Sequence, residues 1–406
     1  MATSTSHQKG SIPGNVVALA QDLIRRPSPS GREADVAQAM QRFFQATGFE
    51  CIVDDANTVV AWHTFGPGPV VLMDGHIDTV AADPVGWTSP PFAAEVHDGR
   101  IYGRGASDMK GAVAGMMIAA RDLVAQVAAG ERSLTGTLVI TGTTWEERFE
   151  GYTLERAFAF LETRDLRPDI VIIGEASELN VKRGQRGRTR VIVNVAGRAA
   201  HSAHPDAGLN AIHQATRLME NVRARTPGRN AVLGENVREL IGISSQPDPP
   251  DSVVPSGCRL VYDLRILPGE TPKTVLAEFR SCIDACVAED CTFAATVSLA
   301  SEILVSSTGS EVTVTPFPPA WLLPEEHPAV QSAVAALQAI SQTPLVTTYD
   351  FCTNGSYSAG VAGVPTLGYG PGKESTAHIV DEHLEIDELH AAVDGYRAIA
   401  AALLRQ

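Results

Sequence analysis

The stretch VVLMDGHID (residues 70–78) carries the pattern that decides the fold. Four consecutive apolar residues followed by a polar, Gly-containing turn are typical of a strand buried on both faces of a sheet. Helical patterns follow over residues 111–127 and 154–163, and further strand patterns cover residues 137–143 and 169–173. Because strands alternate with helices, the sequence predicts the α/β class, with helices covering the sheet.

The pattern changes after Arg188. The next elements are predicted in the order β-α-β-β-α-β, over residues 189–195, 210–225, 239–245, 259–266, 272–288 and 292–299. This is the order of a ferredoxin-like unit. Thr271 is the expected N-cap of the second helix, with Pro272 as its first residue.

A Pro-rich stretch, TPFPPAWLLP (residues 315–324), returns the chain to further helix and strand patterns. We therefore predict a discontinuous domain formed by residues 1–187 and 306–406, interrupted by an inserted domain at residues 188–305. Residues 1–11 are polar and are predicted to be disordered.

The composition excludes several classes of protein. The chain has 406 residues, with 32 Lys+Arg, 47 Asp+Glu and a net charge of −15, which argues against nucleic-acid binding. Six cysteines without a C-x-x-C pair indicate a reducing compartment rather than a disulfide scaffold. With no apolar segment typical of a signal peptide, a cytoplasmic location is expected. The apolar stretch at residues 111–129 is interrupted by Arg121 and Asp122, so no membrane span is predicted.

Five segments concentrate residues that bind metals, and four of them follow a predicted strand. They are DGHID (74–78), GRGASDMKG (103–111), WEE (145–147), GE (174–175) and STAH (375–378). Each has an ordinary explanation by itself: Asp108 could cap the helix at 111–127, and His378 could be a surface residue. Together they supply two His and several carboxylates at strand ends, where α/β sheets place ligands. This is the inventory of a two-zinc hydrolase.

The motifs GHIDTV, YGRGASDMKGAVAG, WEE, GEAS, GRAAHSAHPDAGLNAI and TAHIVDE occur in this order. Through them, about residues 15–400 resemble the family of dinuclear zinc peptidases and deacylases that includes acetylornithine deacetylase, succinyl-diaminopimelate desuccinylase, aminoacylase and carboxypeptidase G. DFCTNGS, RGQRGR and GYGPGKES are similar to a subgroup of hydrolases linked to selenium metabolism. The resemblance implies a catalytic domain with a mixed central sheet and an inserted lid and dimerisation domain.

The resemblance also implies roles for individual residues. Two divalent metal ions, most simply zinc with cobalt or manganese as alternatives, would be bound by His76, Asp108, Glu147, Glu175 and His378. Asp108 would bridge both ions, Asp78 would orient His76, and Glu146 would be the general base. The Asp108–Met109 peptide bond is expected to be cis. Glu175 favours a deacylase, because aminopeptidases of the family tend to have Asp there.

Further residues are implied in substrate binding. His201 is expected to reach the active site of a partner subunit in a homodimer formed by the inserted domain, with His204 as a nearby alternative. Arg265 matches an Arg that anchors the substrate carboxylate, although a cross-strand ion pair explains it nearly as well. Asn354 and Gly355 stand where several family members have a Gly-Gly-Thr-Ser-Asp loop, and Ser252 stands where deacylases often have Asn.

The function expected from these residues is metal-dependent hydrolysis of an amide bond by an activated water. The substrate would be an N-acyl amino acid or a short peptide-like molecule with a free carboxylate. A dipeptidase or carboxypeptidase is the alternative within the family, and an inactive binding or assembly paralogue is the alternative from another class. The complete ligand set with Glu146 argues against the inactive paralogue. A nucleotide-binding protein is excluded because G-x-x-x-x-G-K-[ST] does not occur.

Overall fold

The computed structural model describes residues 13–249, 251–305 and 311–405, so the disorder predicted for residues 1–11 lies outside the described residues. The helices are α1 (Val16–Ile24), α2 (Ala34–Ala46), α3 (Gly111–Ala128), α4 (Tyr152–Glu162), α5 (Ala211–Arg223), α6 (Pro272–Glu289), α7 (Pro328–Ala339), α8 (Gly355–Ser358) and α9 (Ile386–Leu403). The strands are β1 (Glu50–Val53), β2 (Val59–Gly66), β3 (Val70–His76), β4 (Glu95–His97), β5 (Arg100–Tyr102), β6 (Gly136–Thr143), β7 (Ile170–Ile173), β8 (Val181–Gln185), β9 (Gly187–Ala196), β10 (Arg229–Asn230), β11 (Gly234–Glu235), β12 (Val237–Gln246), β13 (Gly257–Ile266), β14 (Ala294–Leu299), β15 (Glu302–Val305), β16 (Glu311–Val314), β17 (Trp321–Leu322), β18 (Val346–Tyr349), β19 (Thr366–Gly368) and β20 (His383–Glu385).

A large mixed sheet forms the centre of the fold, which confirms the predicted α/β class. Its strand order is β1-β2-β6-β3-β7-β19-β8-β17, with β18 beside β8. The neighbours β6, β3, β7 and β19 run parallel, whereas β1, β2, β8 and β17 pair antiparallel along this order. Strand β18 pairs with β8 in parallel. Every residue of β3 and β6 is buried, because helices cover both faces. This explains the uninterrupted apolar run at the start of β3.

The two faces of the sheet belong to different hydrophobic clusters. Val71 and Met73 contribute to a cluster with α1, α2, α3, α7 and α9, whereas Val70 and Leu72 contribute to one with α4. This division follows from the alternation of side chains along a strand. Within the described residues, the segment Ala106–Ala128, which includes α3, is the one helix long and apolar enough to cross a membrane, but most of it is buried inside the protein. It packs against α1 and α9 as a core helix.

A second, antiparallel sheet has the strand order β12-β13-β9-β14. Helices α5 and α6 cover one face and share a separate hydrophobic cluster with these strands. Apart from the small hairpin β10–β11, these elements follow the predicted β-α-β-β-α-β order. Thr271 caps α6 as expected, because its hydroxyl accepts a hydrogen bond from the Thr274 N–H, and Pro272 is the first helical residue. The division into domains at residues 188 and 306 stays a prediction.

A small sheet with the order β20-β5-β4 joins residues 95–102 to residues 383–385. His383 of β20 pairs with Tyr102 of β5, immediately before the helical turn at Ala106–Lys110. This pairing brings the segment around residue 380 next to the turn that carries Asp108, so the sheet helps to position the candidate site.

Candidate metal centre

The candidate ligands converge because the strands that precede them are parallel neighbours. His76 is the last residue of β3 and is paired with Thr143, the last residue of β6. The loop after β6 carries Glu146 and Glu147, and β7, the other neighbour of β3, is followed closely by Glu175. Their carboxyl ends therefore meet at one edge of the sheet, where open α/β sheets bind ligands.

The five predicted metal ligands form two groups that share Asp108. In the first group, His76 Nε2 lies 2.8 Å from Asp108 Oδ1 and 3.5 Å from Glu175 Oε1. In the second, His378 Nε2 lies 3.1 Å from Asp108 Oδ2 and 2.9 Å from Glu147 Oε2. The ligand atoms within each group lie within 4.8 Å of one another. Asp108 thus presents one carboxylate oxygen to each group, which is the geometry of two adjacent sites with a bridging ligand.

Asp78 supports both His76 and the loop after β6. His76 Nδ1 lies 2.9 Å from the Asp78 carbonyl oxygen, so it serves as the donor nitrogen and leaves Nε2 free to act as a ligand. The Asp78 carboxylate accepts hydrogen bonds from the backbone N–H groups of Glu146 and Glu147 and from the Ser30 hydroxyl. The orienting role predicted for Asp78 is therefore consistent with its contacts.

The donor set fits divalent cations. Asp108, Glu146, Glu147 and Glu175 crowd four carboxylates around His76 and His378. Burial, reinforced by the neighbouring carboxylates, raises the pKa of Glu146 and of Glu175 well above the ordinary range. Glu146 Oε1 is buried and has no hydrogen-bond partner among the described residues. A buried excess of negative charge and an unpartnered oxygen are costly without a cation or an activated water nearby.

The backbone at the site has unusual conformations. The Asp108–Met109 peptide bond is cis, as the family resemblance implies. Trp145 and His378 adopt left-handed conformations, with φ of 63° and 62°, that non-glycine residues rarely occupy. Left-handed conformations of non-glycine residues are found at functional sites, where the surrounding contacts hold them. At Trp145 the conformation immediately precedes the two glutamates of the site.

Glu382 and Arg104, which were not among the predicted site residues, hold the turn that carries Asp108. Glu382 Oε1 accepts hydrogen bonds from the N–H groups of Ser107 and Asp108, each at 3.0 Å. Its other oxygen accepts a hydrogen bond of 2.6 Å from Arg104 Nη1. Both side chains are buried. In the sequence, Glu382 is the last residue of the motif TAHIVDE and Arg104 lies in YGRGASDMKGAVAG, but residue type alone does not distinguish either side chain from a solvated charge.

Among the described residues, no hydrogen bond or ion pair joins the predicted substrate-binding residues to the metal-ligand cluster. The Asn354 side chain donates to Asp74 and Thr143 and accepts from the Gly151 N–H, so its polar atoms are engaged inside the protein. Gly355 packs so closely on Trp321 that a side chain would overlap the indole. Substrate contact by Asn354 and Gly355 stays a prediction.

Arg265 lies in β13 of the second sheet, and His201 lies in a loop outside its strands. Arg265 Nη2 lies 3.4 Å from Asp263 Oδ2, so the alternative ion pair is present, but it runs along β13 rather than between strands. His201 is exposed, and its Nδ1 accepts a hydrogen bond from the Ala203 N–H. Their predicted roles toward a substrate are not tested by these contacts.

A mixed α/β sheet with two adjoining His–carboxylate groups at its edge defines the class of metal-dependent hydrolases. Residues 72–402 match the family model described as Peptidase family M20/M25/M40, and the chain belongs to this family. The predicted family resemblance is therefore confirmed, while the closer similarity to the selenium-linked subgroup stays a prediction.

Similar proteins cover nearly the whole chain. The uncharacterized protein YgeY of Escherichia coli (strain K12) is 29% identical over 392 residues, which are 95% of this chain and 93% of YgeY. The fold is similar to aminopeptidase PepT from Bacillus cereus, with a TM-score of 0.75, 17% identity and coverage of 96% and 98% of the two chains. It is also similar to Bacillus subtilis YXEP, a dinuclear metal-binding peptidase of the M20 family, with a TM-score of 0.72, 14% identity and coverage of 96% and 97%.

Proposed function

We propose that this protein is a hydrolase that uses two divalent metal ions to cleave the amide bond of an N-acyl amino acid or a short peptide-like substrate with a free carboxylate. One observation carries the proposal: Asp108 faces two separate ligand groups with its two oxygens, beside the buried and unpartnered Glu146. The dinuclear metal binding of YXEP, a family member with a similar fold, supports the same arrangement here.

His76, Asp108 and Glu175 would hold one ion, and Asp108, Glu147 and His378 the other. Such a set of imidazole and carboxylate ligands suits zinc, with cobalt and manganese as alternatives. When bound, the ions supply Lewis acidity to the water and to the substrate carbonyl. The following steps belong to the chain's own residues.

Glu146 accepts the proton of the attacking water and later returns it to the leaving amine. Burial raises the pKa of Glu146, and a raised pKa favours the uptake of a proton by a carboxylate that acts as a general base. Asp78 keeps the Glu146 and Glu147 backbone in place through its two N–H contacts and fixes the ring of His76. The unpartnered Oε1 of Glu146 is the atom that would exchange the proton.

The test compares Glu146→Gln with the wild type for turnover and for bound metal. The substitution keeps the side-chain volume but removes the base, so turnover should fall by about 10²–10⁴-fold while metal content stays near wild type. Glu155→Gln replaces an exposed glutamate on α4 and should change neither quantity.

A chelator should abolish hydrolysis, and added Zn²⁺ or Co²⁺ should restore it. Full activity in protein shown to be metal-free would exclude the proposal.

A panel of N-acetyl, N-succinyl and N-formyl amino acids, with dipeptides for comparison, would separate a deacylase from a dipeptidase. Hydrolysis of dipeptides alone would favour the peptidase alternative. Absence of turnover on every substrate, despite full metal loading, would favour an inactive paralogue that binds rather than cleaves.

We further propose that the protein is a cytoplasmic homodimer formed through the second sheet. Strand β12 lies at the edge of that sheet in the described structure and exposes Ile241 and Ile243, at 54% and 56% of their surfaces. An unpaired edge with apolar side chains is a natural surface for a second copy of the same strand. The cytoplasmic location is proposed because the sequence has few cysteines and no C-x-x-C pair.

In such a dimer, His201 would act on the substrate bound to the partner subunit. Mixing inactive His201→Ala protein with inactive Glu146→Gln protein should then restore activity, because each mixed dimer contains one site with both residues intact. If mixed dimers form and activity does not return, His201 does not act in the partner's site. A monomer at assay concentration would exclude the dimer itself.

A further inference from the structure

A cavity of about 520 Å³ opens beside the candidate metal centre, between the central sheet and the second sheet. Its lining is Glu147, Arg148, Arg188, Arg190, Glu302 and Ile303. Glu147 connects it to the ligand cluster, so a substrate bound at the metal centre would extend into it. Most lining side chains are charged, which makes the cavity unsuitable for an aliphatic group.

The three arginines of the cavity differ in the carboxylates that balance their charges. Arg188 Nη2 lies 2.9 Å from the buried Glu150, so its charge is matched by a carboxylate behind the cavity wall. Arg148 and Arg190 instead share Glu302, at 3.7 Å and 3.2 Å. Arg190 also has Asp263 at 3.8 Å. Among the described residues, the Arg148 side chain forms no hydrogen bond, and it has Glu302 as its sole ion-pair partner.

The charge balance in the cavity is positive when Glu147 is assigned to the metal centre. With Arg188 matched by Glu150, the remaining charges at the cavity are Arg148, Arg190 and Arg265 against Glu302 and Asp263, or 3 − 2 = +1, because Asp263 is shared by Arg190 and Arg265. This local excess stands in a chain with a net charge of −15. Arg148 and Arg190 keep 54% and 45% of their side-chain surfaces exposed. Because a guanidinium has five donors, both arginines retain donors for another carboxylate.

Glu302 shows how a carboxylate fits between these arginines. One of its oxygens faces Arg148 and the other faces Arg190, so it bridges a residue next to Glu147 and a residue of the second sheet. A carboxylate brought by a substrate would meet the same two donors and would be repelled by Glu302. The arginines should therefore strengthen its binding, and Glu302 should weaken it.

We infer that the substrate carries a second anionic group, a carboxylate at the far end of its acyl group or on an acidic side chain, which binds to Arg148 and Arg190. This inference rests on the proposed amide hydrolysis and names its substrate class: acidic acyl amino acids or acidic dipeptides rather than acetylated or formylated ones. Arg148 and Arg190 are specificity-determining residues, and they take no part in the chemical step.

The test measures KM and kcat for matched substrates that differ in one charge, such as an N-succinyl and an N-butyryl amino acid. In the wild type, KM should be lower for the succinyl substrate. Arg148→Met and Arg190→Met should each raise KM for that substrate by about 10- to 100-fold, the size of one charge-assisted hydrogen bond. They should leave kcat and the butyryl substrate nearly unchanged. Glu302→Gln should lower KM for the succinyl substrate, because it removes the repulsive charge.

Arg217→Met is the matched control, because Arg217 is a half-exposed arginine of α5, paired with Asp290 at the end of α6 and outside the cavity. It should leave both substrates unaffected, and Arg148→Lys should restore part of the charge effect. Equal KM changes for both substrates in the Arg148 and Arg190 variants, or an unchanged KM in all three cavity variants, would overturn the inference.

Calorimetric binding of succinate to the wild type and to Arg148→Met gives a readout that needs no turnover. If Arg148→Met weakens succinate binding, the result supports the anion-binding role of the cavity, even when no amide is cleaved. A failure to cleave amides would count against the proposed function and not against this inference. Conversely, cleavage of amides without preference for the acidic substrate keeps the proposed function and rejects the inference.

Discussion

The buried ion pair between Arg104 and Glu382 should control the stability of the turn that carries Asp108. The two side chains are 6% and 0% exposed and lie 2.6 Å apart. Glu382 also accepts the N–H groups of Ser107 and Asp108. In Glu382→Gln, the amide oxygen can still accept these two hydrogen bonds, so the substitution removes mainly the negative charge opposite Arg104.

The size of the effect follows from burial. Breaking a buried ion pair by removing one partner costs about 3–5 kcal/mol, because the other charge is left without compensation. We therefore expect Glu382→Gln and Arg104→Met each to lower the free energy of unfolding by about 3 kcal/mol or more. The double variant leaves no unpaired charge, so it should lose about 1–3 kcal/mol less than the sum of the single variants.

Urea unfolding, followed by tryptophan fluorescence and far-UV circular dichroism, measures these differences. The control is the neighbouring pair of Arg100 and Glu385, which has the same residue types at 2.7 Å but is exposed to solvent. Glu385→Gln should leave the unfolding midpoint close to wild type, since solvent screens such a pair. Strict additivity of the Arg104 and Glu382 variants, or an effect no larger than that of Glu385→Gln, would refute the reasoning.

Three further predictions concern packing, capping and thiol access. Gly395→Ala should destabilise the protein by about 1–3 kcal/mol in urea unfolding, because the added methyl group overlaps the buried Tyr369 hydroxyl. This overlap outweighs the better helix propensity of alanine. A stabilised variant would contradict this packing. Thr271→Ala should cost about 0.5–2 kcal/mol through loss of the α6 cap, and Thr271→Ser should recover most of it. Iodoacetamide should label exposed Cys291 well before buried Cys282, whose thiol pKa is raised by burial, as peptide mass spectrometry would show; equal labelling rates would argue against the packing of α6.

The sequence predicted the parts of the fold whose burial is visible in local patterns. Strands β3 and β6 are buried on both faces, and their apolar or β-branched runs indicate this directly. Strand β8 was missed, because its sequence VKRGQ has a single large apolar residue. Its place in the sheet depends on β19, β17 and β18, all from the other end of the chain. No local pattern encodes such partners.

The same limit applies to the site. His76 and Glu147 were named as ligands because their motifs resemble a family, whereas residue type alone gave each segment an ordinary explanation. Glu382 was missed because its burial depends on Arg104, 278 positions away in the sequence. Asn354 was assigned to substrate binding by analogy of its loop, yet its amide is engaged with Asp74 and Gly151. The contacts that define these two residues arise only when distant segments meet.

The position of β19 in the middle of the central sheet has a consequence for biosynthesis. This strand separates β7 from β8, although residues 186–365 are synthesised between β8 and β19. A ribosome delivers the chain from its N-terminus, so β7, which consists of four buried aliphatic residues, has an open edge until residue 368 has emerged. Open apolar edges pair readily with other chains, which makes this interval prone to aggregation. A nascent chain that stops before residue 366 therefore cannot complete the sheet. Such a chain should need chaperones to prevent its aggregation.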